Sequence, residues 1–177
     1  IVFADTGRVI SYSEFDRLSD LSAMRLKKMG IKKEDIVVTQ FLAVPEFYLL
    51  VYGCLKAGAI ISPLDVKQQA GEVIRDLDKI EPKAFFCLGK THIRDFSEVA
   101  AEVKGNCPYV DHIVQLPSTA DGTDIIDGAQ DFNKLFDENT LAELGGDDAL
   151  ANELQSDYEA LSPRDPALII FTTGTTG

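Results

Sequence analysis

Ala167-Leu168-Ile169-Ile170-Phe171-Thr172-Thr173-Gly174-Thr175-Thr176-Gly177 sets a short apolar run directly against six residues drawn only from Thr and Gly. The apolar run has the length and content of a buried β-strand. The six residues after it pack nothing, and glycine costs about 0.5–1 kcal/mol relative to alanine inside a regular element. What they offer is open backbone N–H groups, positive φ at the glycines and four short hydroxyls. Those are the parts that wrap a polyphosphate: amides form an anion-binding concavity, and hydroxyls bond phosphate oxygens or a bound Mg²⁺. A flexible surface turn is the competing reading, and a Gly-rich run alone does not decide between them. No G-K-[ST] follows before Gly177, so the run is not a Walker A loop.

Upstream, the chain alternates apolar runs with helical periodicity. Ile1–Ala4 and Val9–Tyr12 bracket the turn sequence Asp5-Thr6-Gly7 and predict an opening hairpin. Ser13 is expected to cap a helix carrying Phe15, Leu18, Leu21, Ser22, Leu26 and Met29, with Gly30 as its stop. Ile36–Leu42 reads as a strand, and Pro45 opens a nearly all-round apolar helix that ends at Gly58. Ala59–Pro63 is expected as a buried strand, 68–80 as an amphipathic helix closed by Pro82, and Lys83–Leu88 as a strand. Asp95–Lys104 predicts a helix, and His112–Leu116 another strand. Uniformly apolar strands separated by single helices predict an α/β fold, a mostly parallel sheet with helices on both faces, opened by the short hairpin.

The character changes over 118–162, which is polar and acidic (Asp121, Asp124, Asp127, Asp131, Asp137, Glu138, Asp147, Asp148) and broken by Gly145-Gly146. An irregular surface excursion with one or two helices is expected there, the firmer over Asp148–Leu161. Its carboxylates do not follow calcium-loop spacing and read as a solvated face.

The 177 residues suffice for one core. With 29 acidic against 17 basic residues the net charge is −12, a field that repels nucleic acid and anionic lipid. Any phosphate must then be gripped locally. No apolar run has the roughly 20 residues of a membrane span, and no secretory signal is visible, so the cytoplasm is the default expectation. Cys54, Cys87 and Cys107 form no CxxC pair; thiols rather than disulfides or metal ligands are expected.

Four landmarks carry a family resemblance. Asp165–Gly177 closely resembles the signature of the adenylate-forming (AMP-binding) superfamily, most like its acyl-CoA synthetases, with Thr173 where serine is usual. Leu55-Lys56-Ala57-Gly58-Ala59 followed by Pro63-Leu64 resembles that family's helix-to-strand segment. Ile10-Ser11-Tyr12-Ser13-Glu14-Phe15 and Met29-Gly30-Ile31-Lys32-Lys33-Glu34-Asp35-Ile36-Val37 resemble two more of its segments, in the family's order.

The resemblance implies a fold, an N-terminal part of the family's large domain over 1–177, and a chemistry. A carboxylate attacks the α-phosphate of Mg·ATP to give an acyl-adenylate and pyrophosphate, and a thiol, commonly of coenzyme A, takes the acyl group. It implies ATP-phosphate contacts at Thr172, Thr173, Gly174, Thr175, Thr176 and Gly177. The loop lysine, adenine pocket, metal-holding Thr-Glu pair and lid lysine would lie beyond Gly177, so no catalytic residue is assigned here, and the chain is expected to be truncated there or followed by a mobile loop. An amino-acid adenylation domain shares these landmarks; a non-catalytic scaffold relative and an unrelated nucleotide-binding protein are the remaining alternatives. His92 and His112 read as surface or loop-edge residues, Lys56 as a snorkelling amine, Gly58 as a helix C-cap, and Asp65 as a turn cap that could also line a site.

Overall fold

The structure, a computed structural model, describes residues 1–3, 7–92, 94–118 and 124–172. Helix α1 (Tyr12–Lys28) is followed by β1 (Ile36–Gln40), α2 (Pro45–Lys56), β2 (Ile60–Pro63), α3 (Ala70–Ile80), β3 (Ala84–Leu88), α4 (Ser97–Asn106) and β4 (His112–Leu116). The strands pair parallel in the order β2-β1-β3-β4, joined at the far edge by the two-residue β5 (Gln130–Asp131).

Every strand of such a sheet is covered twice, and the side chains divide accordingly. Val37, Phe86, Leu88 and Val114 join Leu26, Leu50 and Cys54 in the cluster under α1 and α2. Their neighbours Val38, Phe85, Cys87 and Ile113 join Val73, Leu77, Val99 and Val103 under α3 and α4. Burying each large side chain is worth about 1.5–3 kcal/mol, so both faces are needed to hold the sheet.

Helices α1 and α2 end in the same way. Met29 and Ala57 are the C-cap residues, and Gly30 (φ 85) and Gly58 (φ 71) follow them in the left-handed region. Gly30 and Ile31 N–H bond back to Lys27 and Leu26, and Gly58 and Ala59 to Leu55 and Cys54, the crossed pair that satisfies the last helical carbonyls. Gly58 therefore sits one position past the cap expected for it.

Several boundaries differ from expectation. The hairpin is present as an antiparallel Val2–Val9 bridge, with Asp5 and Thr6 of its turn outside the described residues. Ser11, not Ser13, caps α1, its hydroxyl accepting from Glu14 N–H at 3.2 Å. The chain leaves the bridge after Ile10 and Tyr12 already stands in the helix, fully exposed to solvent. Helix α4 starts at Ser97, because the Asp95 carboxylate accepts from Ser97 N–H and closes a turn first.

The acidic excursion is more regular than expected. It contributes β5 to the sheet and three helices, α5 (Phe132–Phe136), α6 (Glu138–Leu144) and α7 (Asp148–Glu159). Asp131, Asp137 and Asp147 each cap one of them, accepting from Asn133, from Asn139 and Thr140, and from Leu150 respectively. These three charges, read as part of a solvated face, are helix N-caps, while Asp127 and Asp148 are exposed. Phe132 is buried among Phe41, Phe86 and Phe136, and Leu141, Leu144 and Leu154 close a third cluster against Leu21 and Met24 of α1.

The run 167–171, expected as a buried strand, is an exposed edge. Leu168 bridges parallel to Ile61 of β2, through Ile61 N–H to Ala167 O (3.1 Å) and Ile169 N–H to Ile61 O (3.0 Å). Leu168 and Ile170 remain 51% and 62% exposed, with no further strand among the described residues outside them. Among the described residues, no helix is long and apolar enough to cross a membrane.

Candidate functional site

Parallel α/β sheets present ligands at the carboxyl ends of their strands, where loops leave a rigid scaffold. Here the 167–169 segment runs parallel to β2, so Phe171 and Thr172 emerge at that end, beside the 63–69 loop joining β2 to α3. Between them lies a cleft of about 880 Å³, lined among others by Pro63, Asp65, Arg75, Lys79, Phe171 and Thr172. Of the expected phosphate-binding residues, Thr172 is exposed at this cleft; Thr173, Gly174, Thr175, Thr176 and Gly177 lie outside the described residues.

The 63–69 loop is held through its backbone. Gln40, fully buried at the end of β1, donates its Nε2 to Asp65 O and Gln68 O, both at 3.1 Å. Arg94, on the turn after β3, donates Nη1 to Val66 O (3.1 Å) and Gln68 O (2.8 Å) while its guanidinium lies over the Phe96 ring. Asp65 accepts from Lys67 N–H at 2.9 Å, the expected turn cap, and also lines the cleft. Glu72 accepts from Gln69 N–H at 2.9 Å and so starts α3. Gln40 and Arg94 were not singled out in the sequence. An arginine inside a short loop, two residues before a buried phenylalanine, was the available signal.

Polar satisfaction is incomplete at this end of the sheet. Thr39 Oγ1, Gln40 Oε1, Ser62 Oγ and Gln68 Oε1 are buried without a hydrogen-bond partner among the described residues. Such groups are costly to leave alone, and all but Arg25 Nε of those found among the described residues gather where β1 and β2 end.

Asp165, first residue of the signature-like stretch, is tied to Lys33 Nζ at 2.7 Å and accepts from Ser162 N–H at 2.9 Å. The Lys33 contact, then the Ser162 amide, hold its carboxyl below the usual range. Glu34 N–H bonds to Gly58 O and Ile60 N–H to Asp35 O, so three of the four landmark segments meet at one corner, at the amino ends of β1 and β2. Their recurrence has a packing explanation as well as a chemical one.

The remaining single residues have structural roles. Lys56 bonds Asp16 Oδ1 and Asp20 Oδ1, both at 2.6 Å; burial opposes its charge, but these contacts outweigh it and raise its pKa. His112 is half-buried rather than at the surface, with Nε2 2.8 Å from Met29 O and Nδ1 3.1 Å from the Gln130 side chain. His92 is exposed. Cys54, Cys87 and Cys107 are free and buried, and burial pushes the Cys54 and Cys87 thiols far above their usual value. Among the described residues no three His, Cys, Asp or Glu side chains gather as a metal site.

The chain is 29% identical over 174 residues to luciferin 4-monooxygenase of Photuris pensylvanica, covering 98% of this chain and 29% of that protein. It is 30% identical over 172 residues to surfactin synthase subunit 3 of Bacillus subtilis (strain 168), covering 97% of this chain and 11% of that one. A crystal structure of the anthranilate CoA ligase AuaEII with anthranoyl-AMP superposes with a TM-score of 0.67 at 16% identity, over 96% of this chain and 28% of that one. The last likeness is one of fold. The chain thus spans less than a third of the length of these proteins. Residues 1–177 match the family model described as AMP-binding enzyme, and the chain belongs to that family of adenylate-forming enzymes.

Proposed function

We propose that the protein containing this chain is an ATP-dependent acid–thiol ligase of the acyl-CoA synthetase type. It joins a carboxylic acid, a fatty or other acyl acid, to AMP with release of pyrophosphate, and then passes the acyl group to the thiol of coenzyme A. The observation that supports this best is the exposure of Thr172, first residue of the Thr/Gly run, at the carboxyl end of the sheet beside the cleft.

The chemical logic is activation. AMP is a good leaving group from a carboxylate that no thiolate could attack directly, and charge passes onto pyrophosphate as the acyl-adenylate forms. Thr172, Thr173, Thr175 and Thr176 would supply hydroxyls and amides to the β- and γ-phosphates, and Gly174 and Gly177 close backbone approach. Mg²⁺ would accompany ATP, with those hydroxyls as available oxygen donors. The assignment to fatty acid metabolism and to the cytoplasm belongs to this same proposal.

The test is carboxylate-dependent ATP–pyrophosphate exchange by the full-length protein across fatty, aromatic and amino acids, followed by consumption of the coenzyme A thiol. Exchange with an acyl acid and thiol loss are the expected result; exchange with no acid overturns the proposal. Likeness to the surfactin synthase subunit favours one second reading, amino-acid adenylation, and exchange confined to amino acids without thiol loss would select it. Chain 1–177 alone is expected to show no exchange, since the loop lysine and lid implied by the family would come after Gly177.

A further inference from the structure

We infer that Lys79 is a positioning residue for the Thr/Gly run, holding Phe171, the residue before it, against helix α3; the inference rests on the function proposed above. After Ile169, no backbone hydrogen bond among the described residues reaches Ile170, Phe171 or Thr172. The backbone tether to β2 therefore stops short of the point where the run begins. What continues it is a side chain. The Phe171 ring packs on the cluster that contains Leu64, Val73 and Leu77, and the Lys79 ammonium lies 5.3 Å from its centroid.

That ammonium is itself fixed. Asp76, one turn earlier on α3 and almost wholly buried, accepts from Lys79 Nζ at 2.9 Å through Oδ1. Its Oδ2 accepts from Gln68 Nε2 at 2.9 Å. Gln68 in turn offers its carbonyl to Gln40 Nε2 and Arg94 Nη1. A connected path thus runs from the ends of β1 and β3, through the 63–69 loop and Asp76, to the ring that precedes the run. Both walls of the cleft, the 63–69 loop and the Phe171-Thr172 segment, are referred to one frame.

A cation over an aromatic ring at a partly exposed site is a modest interaction, so the expected effect is graded rather than all-or-none. Lys79 also lines the cleft, but the contact it makes there is with the Phe171 ring. Its influence passes through Phe171, which makes the effect specific to the nucleotide and not to the acid.

The test uses the full-length protein and three variants: Lys79→Met, which keeps the aliphatic stem, Lys79→Arg, which keeps a cation for the ring, and Phe171→Leu. In ATP–pyrophosphate exchange, Lys79→Met and Phe171→Leu should each raise KM for ATP by roughly two- to fivefold. The KM for the acid should stay unchanged, the double variant should be no worse than the worse single one, and Lys79→Arg should recover most of the loss. Amide hydrogen exchange of the peptide containing Phe171 should be faster in Lys79→Met than in the parent protein. Unchanged ATP KM and exchange rate in Lys79→Met overturns the inference, as does an equal loss in Lys79→Arg. If the parent protein shows no pyrophosphate exchange with any acid, the proposed function fails, and the hydrogen-exchange comparison still decides whether Lys79 fixes Phe171.

Discussion

Gly53 of α2 lies so close to Ser22 of α1 that a Cβ built on the glycine would stand 2.9 Å from the serine Cβ and 3.2 Å from Ala23 N. The two helices meet backbone to backbone at that point, and Ser22 helps by turning its hydroxyl back onto Leu18 O at 2.9 Å. Because the obstacle is a Cβ and main chain rather than a flexible side-chain end, a methyl group must push the helices apart. Gly53→Ala is expected to cost about 1–3 kcal/mol despite alanine's better helix propensity. Urea denaturation of chain 1–177 checks it: the midpoint should fall with the slope unchanged, and a gain in stability would contradict the close approach.

Gly30 and Gly58 occupy the same position after their helices but not the same surroundings. A Cβ on Gly30 meets nothing within 4 Å, whereas one on Gly58 meets Leu161 Cδ2 at 3.0 Å and Lys33 Cγ at 3.2 Å. Gly30→Ala should therefore cost only the left-handed backbone penalty of about 1–2 kcal/mol. Gly58→Ala should cost that and roughly 1 kcal/mol more, because the segment after α7 must give way. Equal losses in parallel melts would show that Leu161 does not pack over the end of α2.

These two glycines also show what the sequence disclosed and what it withheld. A helix, a glycine and a buried strand can be read from Leu55–Pro63 because local backbone chemistry dictates each step. The bounds of β4, His112–Leu116, follow equally from an apolar run between turns. Position 118–162 was harder, since Asp131, Asp137 and Asp147 look alike whether they cap helices or face solvent, and the apolar residues that anchor those helices are sparse. Exposure of Leu168 and Ile170 was not legible either, because burial of a strand depends on its neighbours and not on its own composition. For the candidate site, the Thr/Gly run announced itself. The clamp on the 63–69 loop did not, because Gln40 and Arg94 act on carbonyls more than twenty residues away in sequence.

Asp137 gives the fold a testable acid sensitivity. Its carboxylate accepts from the Thr140 hydroxyl and from Thr140 and Asn139 N–H; the hydroxyl contact leads, burial opposes it, and the net effect is a pKa below the usual value. A carboxyl with a lowered folded pKa contributes stability above its unfolded pKa of about 3.9 and loses it as pH falls through the lower folded value. Asp137→Ala should therefore cost about 1 kcal/mol at pH 6 and less at pH 3, where the parent cap is being protonated. Melting both proteins by far-UV circular dichroism at the two pH values tests this; a gap that widens in acid reverses the sign and refutes the capping role.

Thr172 is the one member of the expected phosphate-binding run among the described residues, and it separates chemistry from packing. It is exposed, forms no backbone bond among the described residues, and stands at the cleft beside Phe171. Thr172→Val keeps the β-branched shape and removes only the hydroxyl. If that hydroxyl contacts a phosphate oxygen of ATP, the lost charge-assisted bond is worth about 1.5–3 kcal/mol, or roughly ten- to a hundredfold in kcat/KM for ATP. Stability should be unchanged, because no hydrogen bond among the described residues reaches that oxygen. Steady-state exchange kinetics of full-length Thr172→Val, set beside its melting curve, tests both halves: a lowered Tm with normal kinetics would make Thr172 a structural residue and leave phosphate binding to the residues after it.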